Sequence, residues 1–188
     1  KDRVVWRYDP VLLSPRYTLD YHIHYFKVLA QRLQGYTTRC VFSFLDYYSS
    51  IQKKMEKEKI QTLNQQEQQR LAEYFASVGA EMEMEVCSCC ENGKWVGVKQ
   101  SSCIDQELIE KITGKKIRGQ KDKNQRKGCG CIQSVDIGCY GTCQSQCLYC
   151  YAVRSEALVR RNRACYDPLS PILCSRLSEG ERVIDRLV

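Results

Sequence analysis

The sequence predicts an α/β protein built on parallel strands and followed by a cysteine-rich region. Three observations carry this. Short β-type runs alternate with segments of helical period over residues 1–86. Twelve of the 13 cysteines fall between Cys87 and Cys174. Basic excess travels with them: residues 1–86 hold 12 basic and 11 acidic residues, residues 87–188 hold 17 and 11. We therefore expect a parallel βα-barrel or partial barrel over residues 1–86, with residues 87–188 forming an irregular cysteine-rich cap packed on it. The chain opens with Lys1-Asp2-Arg3-Val4-Val5-Trp6 and enters a strand directly, with neither an initiator Met nor a signal peptide. The expectation is that N-terminal strands are missing from this fragment.

Val4 to Tyr8 is a β-type run closed by Asp9-Pro10. Thr18 is placed to cap a helix whose apolar positions, Leu19, Ile23, Phe26, Leu29, Ala30 and Leu33, recur at helical spacing up to Gly35. Cys40 to Leu45 reads as a buried strand closed by Asp46. Residues 47–60 form a polar, partly helical excursion. A helix over about 65–78 has Asn64 as cap, Leu71, Tyr74, Phe75 and Val78 on one face, and Gly79 as its stop. Glu81 to Val86 alternates acidic and apolar residues, the pattern of a strand with one wet face. The carboxylates of Glu81, Glu83 and Glu85 then share a face that is either solvated or open to a cation.

This β-α-β-α-β order implies parallel strands joined by helical crossovers. Their C-terminal ends gather on one edge, where α/β folds build sites. Arg7, Asp9 and Asp46 stand at those ends and are candidates for cofactor or substrate contact, although Asp9 and Asp46 equally suit turn capping. Beyond Cys87 the pattern loosens. Glu107 to Ile112 reads as a short helix between Asp105 and Gly114, a second short helix is expected from Cys150 to Ala157, and residues 164–188 read as a tail. Residues 115–127 are strongly basic.

The 188 residues, 43% hydrophobic and 27% charged, suit one domain with an elaborated tail. No apolar run reaches the ~20 residues of a membrane span, so no membrane partner is expected. An odd cysteine count with C-x-C and C-x2-C clustering suits metal ligation better than a disulfide framework, and points to the reducing cytoplasm.

Cys143, Cys147 and Cys150 form C-x3-C-x2-C, with Tyr149 before the third cysteine. Three local thiolates suit an iron–sulfur cluster and leave the fourth iron without a ligand from the motif. Sites that keep a coordination position open are usually catalytic. Of Cys87, Cys89, Cys90, Cys103, Cys129 and Cys131, a second metal centre would take Cys87, Cys103, Cys129 and Cys131. Alternatively Cys87 and Cys103 are small buried residues, as free cysteines commonly are; Cys40 reads the same way. Cys139, Cys165 and Cys174 lack partners at ligand spacing. His22 and His24 lie two apart on a helix and face different directions.

The motif Cys143 to Cys150 resembles the cluster motif of radical S-adenosylmethionine enzymes. The wider pattern is similar to domain-of-unknown-function family 1848. It is carried by Trp6 to Pro10, Cys40 to Asp46, Gln100 to Asp105, Lys121 to Cys131, Ser134 to Cys150 and Asp167 to Pro171. The resemblance implies an incomplete or full α/β barrel, a 4Fe-4S cluster on the three cysteines with a second centre beside it, and S-adenosylmethionine as cofactor. It further implies an electron donor such as flavodoxin or ferredoxin, and a small-molecule or macromolecular substrate from which a 5′-deoxyadenosyl radical takes hydrogen. The motif here sits late in the chain, whereas it usually follows the first barrel strand. The alternative is a non-enzymatic metal-binding module, iron–sulfur or zinc, that contacts nucleic acid through the basic run.

Overall fold

A computed structural model describes residues 1–126, 128–135, 137–153 and 155–184. The chain runs β1 (Val5–Val11), α1 (Leu19–Leu33), β2 (Arg39–Phe44), α2 (Gln52–Lys57), α3 (Gln65–Glu81), β3 (Glu85–Cys89), β4 (Lys99–Ser101), α4 (Gln106–Thr113) and α5 (Glu156–Ala164). The four strands make one sheet in the order β1-β2-β3-β4, and every neighbouring pair is parallel. Two compact units are present. Lys1–Tyr47 with Met55–Ser134 carries the sheet; Tyr48–Lys54 with Val135–Val188 forms the second. No helix among the described residues is long and apolar enough to cross a membrane.

In the sheet unit, one face of the sheet is covered by α1 and α3. Phe26 and Ala30 of α1 and Leu71, Ala72, Phe75 and Val78 of α3 pack against Cys40, Phe42, Phe44 and Val86 of the strands, with Trp6 and Tyr8 at the side. The rings of Phe26 and Phe75 stack at 4.0 Å, and Tyr8 meets both edge-on. Each fully buried side chain of this size contributes about 1.5–3 kcal/mol through burial, and each aromatic pair about 0.5–1.5 kcal/mol more. Cys40 belongs to this apolar face, where burial pushes its thiol pKa up.

The caps place the helices. Thr18 accepts from the Tyr21 N–H, Asp105 from the Leu108 N–H, and Asn64 forms a reciprocal capping box with Glu67. Gly114 ends α4 in the left-handed conformation at φ 67°. Three boundaries differ from the sequence reading. Gly79 does not stop α3, which continues to Glu81. A Cβ on Gly79 would lie 2.3 Å from Cγ2 of Val86, so the glycine serves the close approach of helix to strand. Glu81 to Met84 is accordingly helix end and turn, with Glu83 at φ 57°, and β3 begins at Glu85. β1 also runs past Asp9-Pro10 to Val11 by shifting register after Tyr8. Proline is tolerated at such an irregularity.

On the opposite face of the sheet, alternation places Arg7 and Asp9 of β1, Arg39, Val41 and Ser43 of β2, and Glu85, Cys87 and Cys89 of β3. The register aligns Arg7 with Val41 and Val41 with Cys87. This face is the polar, cysteine-bearing one.

In the second unit, α5 starts at Glu156, capped by Ser155, and not directly after Cys150. It holds the turn at residues 140–141 through the Asn162 amide, which donates to the carbonyls of Tyr140 and Gly141, each at 3.2 Å. Gly141, at φ 72°, sits so close that a Cβ would meet Cδ2 of Leu158 at 2.7 Å. Part of the tail expected over residues 164–188 lies outside the described residues.

Candidate metal-binding cysteines

The second unit holds Cys143, Cys147 and Cys150. Cys143 and Cys147 are exposed, and Cys150 is partly buried. The Cys150 N–H donates to the Cys147 carbonyl at 3.0 Å, closing a turn between two of the thiols. Gln146 precedes this turn in the left-handed region at φ 52°. The Cys143 Sγ accepts from the Ser145 backbone N–H at 3.5 Å. Its thiol is lowered below the ordinary value by the Ser145 side chain, then by that N–H. Tyr151, just past the motif, meets the rings of Tyr48 at 5.1 Å and Tyr140 at 6.4 Å. The donor set is three soft sulfurs on one loop, as an iron–sulfur cluster requires. Among the described residues no group of three or more Cys, His, Asp or Glu side chains could hold a metal ion as placed.

The sheet unit holds another group. Cys89 ends β3, and Cys103 follows β4 by two residues; Cys89 pairs in register with Ser101. Their sulfurs lie 3.2 Å apart. The segment carrying Cys129 and Cys131 returns to this place. Ile104 donates its N–H to Cys131 Sγ at 3.3 Å, and Ile132 donates to the Ile104 carbonyl at 3.2 Å. Cys131 donates its own N–H to Cys129 Sγ at 3.5 Å. Both Cys129 and Cys131 are buried.

Of the four cysteines expected for a second centre, the fold therefore brings Cys103, Cys129 and Cys131 onto one edge. Cys87 packs with Cys89 and Val41 on the same face of the sheet, two residues back along β3. Its thiol donates to Glu85 Oε2 at 3.6 Å, and burial first, then Glu85, pushes its pKa up to about 11. Glu85 is itself held by Arg39 at 3.0 Å and by Lys99.

Arg7 and Asp9 stand together on one face of β1, inside the strand and not at its end as expected, because β1 continues to Val11. Arg7 Nη2 pairs with Asp9 Oδ2 at 2.5 Å, and Nη1 donates to Cys103 Sγ at 3.1 Å. The Ser43 hydroxyl donates to the other Asp9 oxygen. Burial opposes the Arg7 charge, but the bonds to Asp9 and Cys103 outweigh it and raise its pKa. The Cys103 thiol is lowered, first by its hydrogen bond with Cys89 and then, against burial, by Arg7; Cys89 is raised in turn. Asp46 forms an ion pair with Arg126.

In the basic run, Lys116 pairs with Glu110 at 3.0 Å. Glu110, bonded to the Ile117 N–H, the Gln106 amide and Lys116, is pulled down to about 2. Lys127 lies outside the described residues.

Sequence reasoning missed the pairing of Cys89 with Cys103. The difference is the strand's extent: β3 runs Glu85–Cys89, so Cys89 and not Cys87 ends it at the sheet edge. It also missed Glu91, whose carboxylate accepts from the Phe44 N–H at 2.8 Å and whose pKa is raised by burial. Nothing in the local sequence marks that contact.

Fold and cysteines together define a cysteine-rich α/β protein with an all-parallel sheet. The profile of the family described as Domain of unknown function (DUF1848) matches residues 1–152, and the chain belongs to that family. No match was found among curated proteins or among solved structures.

Proposed function

We propose that the chain is an iron–sulfur protein of the radical S-adenosylmethionine type, with Cys143, Cys147 and Cys150 holding a 4Fe-4S cluster. The observation that carries this reading is local. Three thiols share one loop, two of them joined by the Cys147–Cys150 turn, and the third receives an N–H from Ser145. Hydrogen bonds to sulfur stabilise the thiolate and are a lever on cluster potential. When bound, such a cluster supplies a low-potential electron and an iron position left open for a cofactor.

The chain's own residues hold and present this loop. Ser145 lowers the Cys143 thiol below its ordinary value through its side chain and its N–H. Tyr151, braced by Tyr48 and Tyr140, fixes the loop where it leaves the motif. The sheet, parallel and sequential in order with helices on one face, is the arrangement found within βα-barrels, and we read it as part of one. A protein of this chemistry belongs in a reducing compartment, the cytoplasm.

The test is anaerobic. Reconstituted, reduced protein supplied with S-adenosylmethionine is expected to release 5′-deoxyadenosine, and Cys147→Ala is expected to release none. Equal release by both would remove the assigned site.

A further inference from the structure

We propose that Cys89, Cys103, Cys129 and Cys131 bind a single soft divalent ion of the zinc class at the C-terminal edge of the sheet. This site is separate from the Cys143–Cys150 motif and stands whether or not that motif carries a cluster.

Four observations converge. First, β3 and β4 are parallel neighbours, so the chain leaving each emerges on the same edge. Cys89 and Cys103 meet there with sulfurs 3.2 Å apart. Thiolates around one tetrahedral zinc at about 2.3 Å lie roughly 3.8 Å from one another. In a cubane, each thiolate takes a different iron and the sulfurs stand further apart, so the observed contact fits one ion.

Second, a hairpin-like return delivers the other two cysteines. Gln133 donates to the Gln120 carbonyl at 2.7 Å, and Asp122 to the Cys131 carbonyl at 3.0 Å. Gly130, inside the C-x-C, lies close against the residue preceding Cys103: a Cβ there would stand 2.5 Å from the Ser102 hydroxyl.

Third, three of the four sulfurs already have donors suited to thiolate. Ile104 N–H serves Cys131, Cys131 N–H serves Cys129, and the Arg7 guanidinium serves Cys103. Four thiolates on a divalent ion carry a net charge of −2, and Arg7 offsets part of it. Partners of this kind orient ligands and tune metal affinity.

Fourth, among the described residues of 115–134 there is no helix or named strand. Irregular chain of that length needs an ordering agent, and metal ligation supplies one. Ligation has to turn side chains, since among the described residues no group of three could hold a metal ion as placed.

Cys87 is excluded by direction and distance. It lies two residues back along β3, about 6.6 Å by strand rise, and its thiol faces Glu85. With four thiolates the coordination is closed, which marks the ion as structural.

The experiment uses the full chain carrying Cys143→Ala, Cys147→Ala and Cys150→Ala, reduced under anaerobic conditions and titrated with Co(II). One equivalent should bind with the d–d and sulfur-to-cobalt bands of a tetrahedral tetrathiolate, and zinc should displace it. Cys89→Ser and Cys103→Ser should each lose that spectrum, while Cys87→Ser should keep it. A protein that takes no cobalt, isolates only with a Cys89–Cys103 disulfide, or keeps the spectrum in Cys89→Ser while losing it in Cys87→Ser would overturn the site. X-ray absorption on the zinc-loaded chain gives a reading independent of how those variants fold. Four sulfurs at about 2.3 Å are expected; nitrogen or oxygen in the shell would overturn the assignment.

Discussion

Arg7 joins Asp9 to Cys103. One guanidinium nitrogen lies 2.5 Å from the Asp9 carboxylate and the other 3.1 Å from the Cys103 sulfur. A planar fork with several donors can hold both at once, which a lysine's point charge cannot do with the same geometry. The strand β1 thus positions a cation at the sulfur of a residue 96 positions away.

Arg7→Ala should therefore weaken metal binding at the sheet edge by about 10–100-fold, the usual effect of removing a group that orients a ligand. Arg7→Lys should recover part of the loss. Competition of a chromogenic chelator against the zinc-loaded chain measures both. An unchanged affinity in Arg7→Ala would place the guanidinium outside the site's electrostatics.

Gly79 sets how closely α3 approaches β3. Gly79→Ala should destabilise the protein by about 1–3 kcal/mol through overpacking, because the new methyl would meet Val86. Trimming the neighbour should relieve it: in the double variant Gly79→Ala, Val86→Ala the two effects should be non-additive, as for side chains in contact. Urea denaturation of the single and double variants reads the coupling.

These cases show what was legible in the sequence. α1 and α4 are marked at both ends, by Thr18 and Gly35 and by Asp105 and Gly114, and their placement follows from capping chemistry that is local. β2 is a largely apolar run broken by Ser43, also local. The end of α3 is different, since Gly79 carries a stop signal that is overridden by packing on Val86, and that packing is tertiary. The misplaced start of β3 follows from it. β4, three residues of polar, largely exposed chain, has no apolar pattern and exists through backbone pairing with β3. The Cys143–Cys150 spacing was legible because its three cysteines lie on one loop. The sheet-edge cysteines come from three segments and become a group only when strand ends are brought together.

His22 gives the fold a pH dependence. The Leu12 carbonyl can only accept, so Nε2 carries the hydrogen and donates at 2.7 Å. Nδ1 then accepts from the Tyr8 hydroxyl at 2.8 Å, which fixes the ring as neutral. Burial lowers the His22 pKa, and the Leu12 bond only partly opposes it. The unfolded chain therefore takes up the proton first. Stability from this residue should be complete above about pH 6.5 and fall as pH drops from there toward the folded value. The urea midpoint followed from pH 8 to pH 5 should decline, and His22→Gln should flatten that part of the profile. A midpoint that rises on acidification would contradict the neutral, buried imidazole.

The most direct test of the central claim is iron and acid-labile sulfide per chain after anaerobic reconstitution, in the native sequence and in Cys143→Ala, Cys147→Ala, Cys150→Ala. The native chain should hold about four irons and four sulfides, and the triple variant should hold no sulfide while still binding its single ion at the sheet edge. A native chain that binds zinc alone with no sulfide, or a triple variant that keeps its sulfide, would contradict the assignment of the cluster to Cys143, Cys147 and Cys150.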